Sequence, residues 1–155
     1  MILALMRSGT WEWALFFHVL GALLLVGAMV VVVTAAVAAE RSDRPDGALA
    51  LRRLTFRTLL FLVVPSFVLL RATAEWVRGE DGFVDDVAWI AVGYIVTDAG
   101  LIVLLALVFL GWRSARSAAR SEGGTPLSGR ILSVVASLYL VALLVATWAM
   151  TTKPD

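Results

Sequence analysis

The chain has no cysteine and a single histidine, His18, among its 155 residues. Without cysteine it cannot form a disulfide, a C-x-x-C redox site, a thiolate-ligated iron–sulfur cluster or thioether-linked haem. With one histidine, one copy cannot supply bis-histidine haem ligation or an H-E-x-x-H zinc site. The phosphate-loop, dinucleotide-binding and G-x-S-x-G nucleophile motifs are also missing from the sequence. These absences favour a non-enzymatic protein with no catalytic residues, although they leave an enzymatic activity open.

Charge is scarce as well: only 16% of the residues are charged, whereas 61% are hydrophobic. Soluble domains have about 25% charged and about 45–50% apolar residues, so this composition predicts an integral membrane protein whose surroundings are a lipid bilayer. The formal net charge is +1. Because a nucleic-acid-binding domain needs a basic surface, no nucleic-acid partner is expected.

Four long apolar runs follow one another along the chain. They cover residues 13–39, 54–76, 87–111 and 131–150. Each reaches the roughly 20 residues with which a helix crosses a hydrocarbon layer about 30 Å thick. Segments rich in Gly, Pro and Asp separate the runs. The sequence therefore predicts an all-α fold, an antiparallel four-helix transmembrane bundle, with residues 1–155 forming one domain.

The first run allows a second interpretation as a signal peptide, because Ala36-Val37-Ala38 resembles a small-residue cleavage site. The apolar part of a signal peptide is about 7–15 residues long. The run from 13 to 39 is much longer, which favours a membrane-spanning helix.

The basic residues predict the orientation in the membrane. The first and third connections together hold eight arginines: Arg41, Arg44, Arg52, Arg53, Arg113, Arg116, Arg120 and Arg130. The two ends and the second connection hold only Arg7, Arg78 and Lys153. Since Lys and Arg concentrate in cytoplasmic loops, we expect a multi-pass protein of a bacterial cytoplasmic membrane with both termini outside.

Beyond Trp112, the spacing of Arg113, Arg116 and Arg120 predicts that the third helix continues into water with a basic stripe beside the membrane. One interpretation of this stripe is a topology signal on a solvated helix end. The other is attraction to anionic lipid headgroups.

Few ionisable or hydroxyl groups lie inside the runs, and Asp98, near the middle of the third, is the most unusual. Tyr94 lies one turn away on the same face, and Tyr139 in the fourth run should lie at a similar depth. A charge in the hydrocarbon costs at least ~2.5–3.5 kcal/mol. We therefore expect Asp98 to face the bundle interior or a wet cavity. A protonated Asp98 bonded to a tyrosine or to Thr97 would reduce this cost.

Further polar groups concentrate in the outer halves of the first two runs, at His18, Arg71 and Glu75. The sequence thus predicts a small outward-facing polar pocket for a solute or a partner. Its candidate residues are His18, Arg71, Glu75, Tyr94, Asp98 and Tyr139. The alternative is a network of satisfied polar groups that only sets the register of the helices. No metal site is expected from these residues.

Two terminal motifs carry a family resemblance. The first is H-x-x-G followed by further small residues, at His18-Val19-Leu20-Gly21 and onward to Ala28, and the second is W-x-M-x-x-K-P, from Trp148 to Pro154. They resemble the ends of a family of bacterial four-helix integral membrane proteins whose function is not established. More distantly, the chain is similar to copper-resistance D proteins and to the four-helix bacterial protoporphyrinogen oxidase, whose first helix also carries a histidine.

There are two alternatives to a binding pocket, of which the resemblance implies only the first. The first is a haem-binding redox membrane protein with His18 as axial ligand, in which a homodimer would bring together two copies of this single histidine. The second is a structural accessory subunit of a membrane complex. It would be favoured if the small-residue faces around Gly21, Ala22, Ala28 and Gly93 contact another protein instead of one another.

Overall fold

A computed structural model describes residues 10–81, 88–120 and 127–152 of the chain. The helices are α1 (Thr10–Glu40), α2 (Pro45–Thr58), α3 (Val64–Asp81), α4 (Ala88–Ala119) and α5 (Leu127–Thr152), and a π-helical turn, Leu59–Val63, joins α2 to α3. The described ranges contain no β-strand. The predicted all-α fold is confirmed.

Four helical segments are long and apolar enough to cross a membrane, as in a multi-pass membrane protein. They are Glu12–Glu40, Pro45–Gly79, Ala91–Ala119 and Leu127–Thr152. The second begins well before the apolar run at 54, so Arg52 and Arg53, which we expected in the first connection, lie on α2. The third continues past Trp112 to Ala119. Helical hydrogen bonding continues into the polar ends of a span, whereas apolar composition reveals only its lipid-facing middle.

Pro65 accounts for the irregular middle of the second span. Proline has no N–H to donate to the carbonyl four residues earlier, and its ring clashes with that carbonyl. The preceding turn widens: the Val64 N–H donates to the Leu59 carbonyl, five residues back, at the end of the π-helical turn. The π-helix is rare and occurs mostly as a single turn of this kind inside a longer α-helix. The two halves of this span, α2 and α3, which we label inner and outer after the predicted orientation, can therefore present different faces to their neighbours.

The helices do not pack evenly around the bundle. Helix α1 packs against α2, α3 and α5, whereas α4 packs against α5 and α2. Within the described residues, α3 and α4 contact each other only marginally. The most deeply buried apolar side chains lie at the middle of the bundle and include Leu25, Met29, Val32, Leu59, Val63 and Leu107. In its outer half the bundle is therefore open between α3 and α4.

Glycines on α4 allow this helix to pack closely against α5. A Cβ atom at Gly93 would overlap Met150, and one at Gly100 would overlap the Tyr139 ring. A Cβ atom at Gly111 would lie 3.5 Å from Leu132 Cδ1. Along these contacts, Gly93 meets Met150, Gly100 meets Tyr139 and Gly111 meets Leu132. The numbers rise along α4 and fall along α5, so these two helices run in opposite directions. The antiparallel order of the whole bundle stays a prediction.

Candidate functional site: a polar cluster between α3 and α4

Four of the six predicted pocket residues meet where α3 and α4 diverge. We call Arg71, Glu75, Tyr94 and Asp98 the outer polar cluster. Arg71 Nε donates to Asp98 Oδ1 at 3.2 Å, and its Nη1 donates to Glu75 Oε1. The Tyr94 hydroxyl donates to Glu75 Oε1 at 3.2 Å. Each helix contributes two side chains that are four residues apart, so they lie on one face of that helix.

The arginine also lies against the tyrosine ring. The guanidinium carbon of Arg71 lies 5.0 Å from the Tyr94 ring centroid, and that of Arg78 lies 5.6 Å from the same centroid. Both distances fall within the range of a cation–π contact. Two arginines therefore lie against the Tyr94 ring, and their formal charges balance those of Glu75 and Asp98.

Of the two settings expected for Asp98, the bundle interior is wrong, whereas a wet cavity stays a prediction. Its side chain is 62% exposed, and those of Arg71 and Glu75 are 32% and 49% exposed. Gly100 and Leu104 are buried on the side of α4 that packs inside the bundle, and Asp98 lies on the opposite side. The close fit of the α4 glycines against α5 fixes this rotation of α4, which spacing within one helix could not reveal.

The hydrogen-bond partner expected for Asp98 also differs. The Thr97 hydroxyl donates to the backbone carbonyls of Gly93 and Tyr94, at 2.9 and 3.2 Å, and Tyr94 donates to Glu75. The Asp98 carboxylate pairs with Arg71 instead. An exposed carboxylate can accept from an arginine that reaches it along the protein surface, whereas both nearby hydroxyls are already used.

His18 lies apart from this cluster, at the contact between α1 and α3. Its Nδ1 lies 3.3 Å from the Leu70 carbonyl oxygen. One turn along, a Cβ atom at Gly21 would lie 2.9 Å from the Leu70 backbone nitrogen. Glycine thus allows the two backbones to touch, and this closeness lets the His18 ring reach the carbonyl. The H-x-x-G motif has a direct structural explanation as a contact that holds α1 against α3.

Tyr139 lies at a third location, the contact between α4 and α5. Its side chain is buried against Gly100, only 5% exposed, and its hydroxyl has no hydrogen-bond partner within the described part of the chain. It therefore belongs to the α4–α5 contact. The structure divides the six predicted pocket residues among the outer polar cluster, the α1–α3 contact and the α4–α5 contact.

Sequence reasoning missed a second group, which we call the inner polar cluster: Glu40, Arg52, Thr55, Ser114 and Ser133. The Ser133 hydroxyl donates to Glu40 Oε1 at 2.6 Å. Arg52 borders the same small hollow and is attracted by the Glu40 charge. Thr55, Ser114 and Ser133 are buried. All four spans contribute to this cluster, and the hollow has room for about one water molecule.

One signal for the inner polar cluster was present in the sequence. The hollow is lined by small residues from three spans, Ala36 and Ala39, Gly111 and Gly129. Small residues allow helices to approach closely in a membrane. However, Glu40 and Ser133 are 93 residues apart in the chain, so their pairing becomes visible only in the folded bundle.

At the same end of the bundle, the last turns of α4 carry a basic surface. The guanidinium carbon of Arg116 lies 5.2 Å from the Trp112 ring centroid, and the Phe109 and Trp112 rings are 6.0 Å apart. Arg113 and Arg120 are exposed beside them. Such an aromatic and basic helix end suits the boundary between hydrocarbon and water.

Among the described residues, His18 is the candidate ligand for a metal or haem. Within the described residues, no group of three or more His, Asp or Glu side chains could hold a metal ion. A carbonyl oxygen only accepts, so Nδ1 of His18 donates to Leu70; in the neutral ring, Nε2 then keeps its lone pair. Metal-binding histidines commonly donate their second ring N–H to a carbonyl in this way.

Comparison of the chain with known protein families, with curated proteins and with solved structures gives no match. The family resemblance of the terminal motifs therefore stays a prediction. The small residues of those helices make contacts within the chain, since Gly21 faces Leu70 and Gly93 faces Met150. The helix faces at Gly21 and Gly93 are therefore covered within the chain, whereas the accessory-subunit alternative would have them contact another protein.

Proposed function

We propose that this chain is a non-enzymatic, multi-pass protein of a bacterial cytoplasmic membrane that binds a membrane-embedded partner through the outer polar cluster. The observation that carries the proposal is the exposed ion pair between Arg71 and Asp98 on the side of the bundle. Both termini lie outside in this proposal, so the cluster belongs to the outer leaflet.

The distribution of charges and rings supports this orientation. The basic residues concentrate around α2 and the end of α4, and Trp112 is exposed near that end. Trp13, Trp76 and Trp148 are exposed near the opposite ends of their helices. Tryptophan rings favour the two membrane boundaries, and arginines favour the cytoplasmic side.

The depth of Asp98 in the proposed membrane is the reason to expect a partner at the outer polar cluster. Asp98 lies about four turns from Trp112 along α4, about 21 Å at the rise of an α-helix. Its exposed neighbours Ile95 and Ile102 are apolar, so the carboxylate lies on a surface that faces lipid. A charge at such a depth is unfavourable by several kcal/mol unless polar groups surround it. A partner that supplies further polar groups would therefore bind here with a gain in free energy.

The shape of this surface favours a protein partner over a dissolved solute. The outer polar cluster lies on the open side between α3 and α4, where the side chains of its two carboxylates are 49% and 62% exposed. The hollow near Glu40, and an open depression beside Trp112 and Arg116, lie at the other end of the bundle. An exposed lateral helix face suits another transmembrane helix.

Photo-crosslinking in native membranes tests the proposal. A benzophenone amino acid replaces Ile102, one turn from Asp98 on the exposed face, and the control carries it at Leu138 on α5, which is similarly exposed. We expect a protein adduct from position 102 that weakens when Asp98→Ala is added, and none from position 138. Adducts with lipid alone at both positions would contradict the proposal.

A second candidate function, haem binding at His18, rests on the hydrogen bond between Nδ1 and the Leu70 carbonyl, which directs the Nε2 lone pair away from α3. Nε2 would be the axial ligand, and haem would supply the redox chemistry. Absorbance of protein purified from haem-replete cells tests this candidate. A Soret band that is lost in His18→Ala supports it, and a colourless protein rules it out.

A further inference from the structure

We infer that the membrane-embedded partner is a second copy of this chain, docked by a two-fold axis along the membrane normal so that α4 of each copy lies beside α4 of the other. The inference rests on the proposed function and gives the partner its identity. It follows from the atoms that the outer polar cluster leaves available, from their depth and from the face on which they lie.

The cluster has both an acceptor and a donor to spare. The described hydrogen bonds of Arg71 use Nε and Nη1, and those of Asp98 use Oδ1. Within the described residues, neither Arg71 Nη2 nor Asp98 Oδ2 makes a hydrogen bond. A surface that offers an arginine donor beside a carboxylate acceptor is complementary to its own two-fold image. In the dimer, Nη2 of each copy donates to Oδ2 of the other, which adds two charge-assisted bonds.

Depth restricts the choice of partner further. Arg71 and Asp98 lie at one depth because they contact each other within a copy. Copies of one chain insert with one orientation, so a neighbouring copy presents its arginine at the depth of this carboxylate automatically. The charges of Arg71, Arg78, Glu75 and Asp98 also balance, so two such surfaces do not repel each other as a whole.

The surroundings of Asp98 suit a helix–helix contact. Ile95, Asp98, Ile102 and Leu105 are exposed and recur every three or four residues, the spacing of a face on which two helices pack. Ala99 and Ala106 are exposed beside this face, and small residues permit close approach in a membrane. A single polar residue within an apolar seam is a known means of setting register between paired helices.

The absence of cysteine makes the test direct, because any cysteine introduced is the only thiol in the chain. Ile102→Cys lies on the proposed interface, with 72% exposure, and Leu138→Cys on α5, with 66% exposure, is the matched control. Each variant is co-expressed in two differently tagged forms, and membranes are oxidised with copper phenanthroline. A disulfide forms only where the two Cα atoms come within about 7 Å.

We expect a disulfide-linked dimer that contains both tags from Ile102→Cys and monomer from Leu138→Cys. Adding Asp98→Ala to Ile102→Cys should weaken dimerisation about tenfold, because both symmetric bonds are lost. Monomer from Ile102→Cys, equal dimer from both positions, or an undiminished dimer with Asp98→Ala would overturn the inference.

The outcome also separates this inference from the proposed function. If Ile102→Cys stays monomeric while the photo-crosslinker at position 102 captures a different protein, the outer polar cluster binds a partner but not a second copy. If both experiments yield no protein adduct, the inference and the proposed function fail together.

Discussion

The two polar clusters of this bundle contain similar residue types in opposite settings. The inner polar cluster joins Glu40, Arg52 and Ser133 at a point where all four spans meet and its hydroxyl groups are buried. The outer polar cluster joins Arg71 and Asp98 where α3 and α4 diverge, and its carboxylates are exposed. Polar groups surrounded by the chain's own helices hold those helices together. Polar groups that the chain leaves uncovered are available to another molecule.

The difference follows from how the second span packs. Its inner half, α2, contacts both α1 and α4, whereas its outer half, α3, packs mainly against α1. The π-helical turn before Pro65 separates these two halves. We therefore expect substitutions to affect folding most where α3 is attached to α1 and at the inner cluster, and to affect association most at the outer cluster.

The largest effect is expected at the close backbone contact between α1 and α3 at Gly21. Gly21→Leu should lower the free energy of unfolding by about 3 kcal/mol, because its Cβ atom would lie 2.9 Å from the Leu70 nitrogen, which belongs to the backbone and cannot rotate away. Thermal unfolding in detergent measures the change.

Gly27→Leu is the matched control on the same helix, because a Cβ atom at Gly27 meets nothing within 4 Å. It should be neutral or slightly stabilising, since leucine favours a helix over glycine by up to about 1 kcal/mol. Equal destabilisation by the two variants would show that α1 and α3 do not depend on this contact.

The next effect is expected at the inner polar cluster. Glu40→Leu should destabilise the protein by about 2 kcal/mol, because it removes the charged acceptor of the Ser133 hydroxyl and leaves Arg52 without its attracting charge. Ser133→Ala should lower the free energy of unfolding by about half of that amount. Chemical denaturation in mixed micelles checks both values, and unchanged unfolding of Glu40→Leu would remove the proposed role of this cluster in holding the spans together.

A smaller effect on stability is expected from the corresponding change at the outer polar cluster. Asp98→Ala should change the free energy of unfolding of the monomer by less than about 1 kcal/mol, because the loss of the bond to Arg71 is offset by the removal of a charge from the lipid-facing surface, and Arg71 keeps its pairing with Glu75. Thermal unfolding at micelle dilutions that favour monomer measures this change. A loss as large as that of Glu40→Leu would erase the contrast between the two clusters.

The smallest effect is expected at Tyr139. Its buried hydroxyl has no hydrogen-bond partner within the described residues, so Tyr139→Phe should be neutral or stabilise the protein by less than about 1 kcal/mol. The same unfolding measurement applies. Clear destabilisation would instead reveal a partner for this hydroxyl at the α4–α5 contact.

The sequence allowed some parts of the candidate site to be predicted. Arg71 and Glu75 are four residues apart on one helix, as are Tyr94 and Asp98, so each pair could be assigned to one face. The depth of Asp98 in the membrane, which its position in the third run predicts, stays a prediction. Pairing between helices could not be predicted, because the partner of Asp98 depends on the rotation of α4, which the fit of Gly93 and Gly100 against α5 determines.

By itself, the sequence determined that this is an all-α protein with four helices able to cross a membrane, because apolar length and backbone hydrogen bonding leave a chain of this composition few other stable forms. Only the tertiary structure decided which polar groups the bundle encloses and which it exposes. That outcome depends on where backbones can touch, at Gly21 against Leu70 and along the glycines of α4, and such contacts join residues far apart in the chain.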